Sequence, residues 1–321
     1  MHSRQLLVTI IMVAIVAALM VTASGVNGGA DDAGLSSWLA SAAGTPGAAV
    51  YIATGISLAC MAGVAVTLVM ICKTYNPQRS MSMLWGTMYV AMLLAEPSVL
   101  ETADDGTLMA VMYAAITVLL FSVYGAEWET RRVFLIFFLL SGGALLQYAF
   151  IFYVPMLLLG CLQMRILKVR VVLAALIGVV TPAWIVVGFG LVDPRAVELP
   201  TLESVFTVLD RRDLPMTIVA TALTAVSGVV FLMLNIVKVI GYNSAARAQN
   251  GFLGFSLLLT IVLMGFDYRN FAFYLPLLCM LAGYQVSHFF ASHRSRGTAV
   301  AALIILLLYL GLFCWNVVLT L

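Results

Sequence analysis

Four places in this 321-residue chain carry side chains that could do chemistry together. Asp31 and Asp32 are adjacent just beyond a first apolar run, where a carboxylate can act as a general base or help hold a divalent cation. Glu96 precedes Pro97 inside a run that stays apolar through Val99 and Leu100. A helix continuing past Glu96 would set its carboxylate at the outer edge of hydrocarbon, where an ionisable group is costly and a functional candidate by default. Asp210-Arg211-Arg212-Asp213 places two guanidinium forks side by side, a geometry suited to phosphate or pyrophosphate oxygens, although the flanking aspartates could equally neutralise them. Asp267-Tyr268-Arg269-Asn270 is a tight polar turn whose composition turn chemistry alone explains, though its four groups could complete a site with Arg269 as a third cation.

The elements that must position these residues follow from composition. A soluble domain is roughly 45–50% apolar and about 25% charged, whereas this chain is 63% hydrophobic and 9% charged with mean hydropathy +1.10. It cannot cover itself with a water-facing surface, and the whole reads as a single integral-membrane domain, residues 1–321. Crossing hydrocarbon takes about 20 helical residues. The apolar runs predict spans over Leu6 to Ala23, Ala49 to Cys72, Met81 to Leu100, Thr107 to Tyr124, Val171 to Leu191, Leu214 to Val237, Gly251 to Phe266, Phe271 to Val286 and Thr298 to Thr320. Helices are required because lipid offers no partner to an open backbone, and the runs lack the alternation of barrel strands.

Val133 to Met164 is an uncharged stretch too long for one span and too short for two. Gly142-Gly143 near its middle and Pro155 later predict two short helices, or a re-entrant pair bent at the glycines, that returns the chain to the side it left. The distribution of Lys and Arg supports this reading. With a hairpin, 12 of the 16 basic residues fall inside and 4 outside, while a single span there gives 9 to 7. The predicted fold is therefore all-α, a polytopic transmembrane bundle of about eleven helices, with the N-terminus cytoplasmic and the C-terminus outside.

In that topology twelve of the fourteen carboxylates lie on the external face. Acids contribute little to orientation and are free to fill external loops; a binding or catalytic surface on that side is the sharper interpretation. Arg4 and Leu6 to Met20 also satisfy a signal-peptide pattern, but a first span used as an uncleaved signal fits a multi-span chain. The five cysteines have neither metal nor redox spacing and read as small core hydrophobes. His2, His288 and His293 stand beside basic residues and read as a solvated interface. Gly55, Ala59 and Gly63 recur at the small-residue spacing that lets helices pack closely, with dimerisation the lesser interpretation. Gln147, Gln163, Asn235 and Gln285 read as interhelical hydrogen-bonding groups. A net charge of +2 spread over inner loops excludes a nucleic-acid surface.

Tyr153-Val154-Pro155, the basic turn Arg165 to Arg170 and Leu173 to Pro182 together make residues 133–185 resemble the central part of an uncharacterised multi-span inner-membrane family of Bacteroidota. The motif is architectural. The resemblance implies a bacterial inner (cytoplasmic) membrane with the acidic face in the periplasm. The layout is also similar to polyprenyl-phosphate-sugar glycosyltransferases of envelope glycan assembly. In that scheme Asp31 or Asp32 activates an acceptor, Glu96 or Asp104 assists or holds a metal, and Arg211, Arg212 and Arg269 stabilise a departing phosphate. The partners would be membrane lipids and a polyprenyl-phosphate-linked substrate. A non-catalytic subunit or scaffold of an envelope complex, and a transporter or lipid flippase, are the other two classes the sequence allows.

Overall fold

The structure, a computed structural model, describes residues 46–78, 83–95, 105–126, 129–189, 215–267, 270–292 and 296–320. Among them are ten α-helices and one 3-10 helix, and no strand. The helices are α1 (Pro46–Tyr75), α2 (Leu84–Leu94), α3 (Asp105–Ser122), α4 (Thr130–Leu146), the 3-10 helix Tyr148–Tyr153, α5 (Val154–Gln163), α6 (Val169–Gly188), α7 (Pro215–Val239), α8 (Ser244–Phe266), α9 (Phe271–Ser292) and α10 (Arg296–Thr320). Six contain stretches long and apolar enough to cross a membrane: Gly55–Tyr75, Val169–Gly188, Ile218–Val239, Ser244–Phe266, Phe271–Ser292 and Gly297–Trp315. The chain is thus an all-helical protein of multi-pass membrane character. The count of about eleven is not reached among the described residues, and the first predicted span, Leu6 to Ala23, lies outside them.

Two compact units divide the chain, one comprising Met1–Gly28 with Met112–Leu202 and the other Gly29–Val111 with Glu203–Leu321. In the first, α4, the 3-10 helix and α5 form the predicted hairpin, but the bend is not at the glycines. α4 runs straight through Gly142 and Gly143 to Leu146, and the chain turns at Gln147, whose φ of -139° and ψ of 117° are extended. A Cβ on Gly143 would lie 2.8 Å from two ring carbons of Phe150, so this glycine makes room for the returning segment instead of bending the helix. Pro155 stands in the first turn of α5, where no helix donor is lost. The hairpin closes, since Gly125 N–H donates to the Met164 carbonyl at 3.1 Å. Arg132 ties the same end together, pairing with Glu129 at 3.2 Å and donating to the Ser122 carbonyl at 3.1 Å. α6 packs on α4, and Ser141 Oγ donates to the Val179 carbonyl at 2.6 Å, close to the backbone interrupted by Pro182. Single cysteines introduced at Thr130 and Leu167 should therefore react with an impermeant thiol reagent from the same side of the membrane; labelling from opposite sides would overturn the hairpin.

In the second unit α9 is the central helix, 94% buried along its span against α2, α7 and α8. Trp85 is fully enclosed, its indole N–H donating to the Met280 carbonyl at 2.8 Å and its ring meeting Tyr284 edge-on at 4.8 Å. α1 packs on α2, yet not through the small-residue stripe: a Cβ on Gly55 or Gly63 would meet nothing within 4 Å, and Ala59 is exposed. Among the described residues the packing expected of that stripe is not formed, and Leu68, Ile71 and Cys72 face the core instead. Cys72, Cys161 and Cys279 are buried thiols, as a core reading predicts, whereas Cys60 is half-buried and Cys314 is exposed, which corrects that reading for Cys314; all five are free.

Candidate functional site

Asp31, Asp32, Glu96, Arg211, Arg212 and Arg269 all lie outside the described residues, as does Asp104. α2 is described to Leu94, with Ala95 as its C-cap. The structure does place Asp267 and Asn270, which flank Arg269 at a distance of two residues and one, and α3, which begins nine residues after Glu96. Asp267 caps α8, its N–H donating to the Leu263 carbonyl at 2.7 Å. Its side chain is buried, 1% exposed, and accepts Asn270 Nδ2 on both oxygens at 3.1 Å and the Tyr274 hydroxyl on Oδ2 at 3.0 Å. A carboxylate taken out of water must be solvated by donors, and this one is gripped by the turn and by the first turn of α9. The turn therefore does more than reverse the chain: it fixes the Asp267 carboxyl oxygens two positions from Arg269 in sequence.

The start of α3 reaches the same turn of α9. A Cβ on Gly106 would fall 2.5 Å from the Ala272 carbonyl oxygen and 3.1 Å from Phe273 Cα. Pro276 lies four residues beyond Ala272 in α9 and has no N–H to offer that carbonyl. Only a residue without a side chain can approach so closely. The start of α3 thus lies against the first turn of α9, five and six residues after Asp267.

A second polar cluster lies where α1 turns into α2, against α8 and α9. Asn76, with φ of 48°, reverses the chain, and the next residues are enclosed. Gln78 Nε2 donates to Ser287 Oγ at 2.6 Å; Asn250 Nδ2 donates to the carbonyls of Pro77 at 3.0 Å and Ala246 at 2.7 Å. The Tyr284 hydroxyl donates to Asn250 Oδ1 at 2.5 Å. Asn235 of α7 donates to the Gln285 carbonyl at 2.8 Å, so the amides expected to bridge helices do so at this pair. His288 stacks on Tyr284 with ring centroids 5.8 Å apart and is fully buried, with both ring nitrogens unpartnered. This corrects the solvated reading of His288: the basic neighbours lie beyond the helix end, while His288 itself falls on the innermost helix of its unit. Its ring is held between those of Tyr284 and Tyr242.

Sequence reasoning singled out neither Asn250 nor Gln78, because each sits at the polar end of an apolar run and looks like turn composition. Asp267 was visible only as one member of a polar turn. Among the described residues no group of three or more His, Cys, Asp or Glu is placed to hold a metal ion. No family model, curated protein or solved structure matches this chain.

Proposed function

We propose that the protein is a multi-pass bacterial inner-membrane protein that handles a lipid-linked phosphate at its external face, in its sharpest form a polyprenyl-phosphate-sugar glycosyltransferase-like enzyme. Asp31 or Asp32 is the base on the acceptor, Glu96 assists, and Arg211, Arg212 and Arg269 take the phosphate charge. The observation that supports this reading is Asp267, a buried carboxylate held by Tyr274 and Asn270 at a turn that α3 also reaches through Gly106. In sequence, the segment holding Glu96, Glu101 and Asp104 leads into α3 and Arg269 lies between Asp267 and α9, so this contact is the anchor the proposed site would share. An intramembrane or boundary carboxylate is expensive to keep without a use.

The test is binding and turnover of a polyprenyl-phosphate-sugar by the purified full-length chain. Arg211→Gln with Arg212→Gln should weaken binding by about tenfold or more, given about 1.5–3 kcal/mol for a hydrogen bond to a charged group. Asp267→Asn keeps an oxygen for the Tyr274 hydroxyl, so it should fold, yet lose transfer. Unchanged lipid binding in the double arginine variant would sink the proposal. A second reading, a non-catalytic subunit of an envelope complex, draws on the Gly55 and Ala59 face of α1, which no helix among the described residues covers and which has the spacing to take a helix of another chain.

A further inference from the structure

The second unit carries an apolar groove of about 830 Å³ whose floor is α2 and whose walls are α1 and α10. Val69 stands on one wall, Val90 and Ala91 on the floor, and Leu306 and Leu310 on the other wall. The size falls within the roughly 300–1,000 Å³ of built ligand sites. Its polar lining is small and mostly committed. The Tyr309 hydroxyl is bonded to Thr224 Oγ1 at 3.1 Å, and Thr87 Oγ1 donates to the Met83 carbonyl at 3.2 Å. That leaves Lys73, in the last turn of α1, at the end where α1 passes into α2. Lys73 is exposed and forms no ion pair among the described residues.

An apolar trough with one uncompensated cation at its end has the complementary pattern of a single amphiphile, with alkyl chain along the trough and negative headgroup at the ammonium. The lysine stem can lie along the groove while its charge reaches the interface. We infer that this groove is a binding site for an anionic glycerophospholipid, its acyl chain lying between α1 and α10 over α2 and its phosphate paired with Lys73. The occupant is a membrane phospholipid and distinct from the lipid-linked substrate proposed for the external face, so the two readings stand or fall separately.

The test uses the full-length chain, released from detergent containing equal amounts of phosphatidylglycerol and phosphatidylcholine, with retained lipids counted by native mass spectrometry. Near-surface attraction of one lysine for anionic lipid predicts about a fivefold preference for phosphatidylglycerol. Lys73→Gln should remove that preference and Lys73→Arg should keep it. Ala91→Trp, which fills the floor without altering charge, should lower retention of either lipid. Equal retention of the two lipids by the unaltered protein would mean ordinary boundary lipid and overturn the inference. So would undecaprenyl phosphate outcompeting phosphatidylglycerol for retention, since the groove would then take the polyprenyl chain. Failure of the arginine double variant to alter polyprenyl-phosphate binding bears on the external face alone.

Discussion

Asn250→Leu should destabilise the protein by about 2–4 kcal/mol, because it leaves the buried Tyr284 hydroxyl and the Pro77 carbonyl without their partner and each such group costs about 1–3 kcal/mol. The competing expectation is smaller. Side-chain hydrogen bonds in a membrane protein average only about 0.6 kcal/mol in double-mutant cycles, because groups that lose a partner find another. Burial decides between them here: Gln78, Tyr284, Ser287 and His288 are enclosed at this corner, so water is kept from the groups left behind. The prediction is checked by reversible unfolding in mixed detergent, with Tyr284→Phe as the second edge of a cycle. In the Tyr284→Phe background the Asn250 substitution should cost clearly less. A loss near 0.6 kcal/mol in both backgrounds would show that water already reaches the corner.

The membrane character and the order of helices were readable because apolar length is a composition property, and lipid leaves the backbone no alternative to helix. Helix ends were harder, since they depend on caps. α8 begins at Ser244 and not at Gly251, because Asn243 Oδ1 accepts the Ala246 N–H at 2.9 Å and starts the helix among residues that look like a loop. Arg247, Gln249 and Asn250 are consequently helical, and that is what carries Asn250 into the core. Partnership between helices was harder still. Gly55 and Gly63 have the spacing of a packing motif, but spacing cannot say which face of α1 meets α2. His288 is misread for the same reason, since Arg294 and Arg296 follow it six and eight positions on while its ring packs on Tyr284 and Tyr242. The candidate chemistry was placed on loops because charges are affordable only there. Loop positions follow from the helices that carry them, and the contact of α3 with the first turn of α9 is such a constraint, invisible in a pattern of charges.

That contact sets the last expectation. Gly106→Val should cost about 3 kcal/mol or more, at the upper end of what overpacking of a folded interior costs. The obstruction is backbone: the nearest atom is the Ala272 carbonyl oxygen at 2.5 Å, and the Phe273 Cα and oxygen follow at 3.1 Å. No rotamer change can relieve it, so α3 must back away from α9. Pro276 explains why glycine and carbonyl came together, since it denies Ala272 an intrahelical donor and leaves an acceptor toward which a Gly Cα–H can point. Pro276→Ala restores an N–H four residues along and draws the carbonyl back toward the helix. In that background Gly106→Ala should be less harmful than in the unaltered protein, with a coupling above about 0.5 kcal/mol as expected for groups in contact. Unfolding midpoints of the four proteins in one detergent measure it. If Gly106→Ala is neutral in both backgrounds, the start of α3 is not pressed on α9, and the contact that supports the proposed site goes with it.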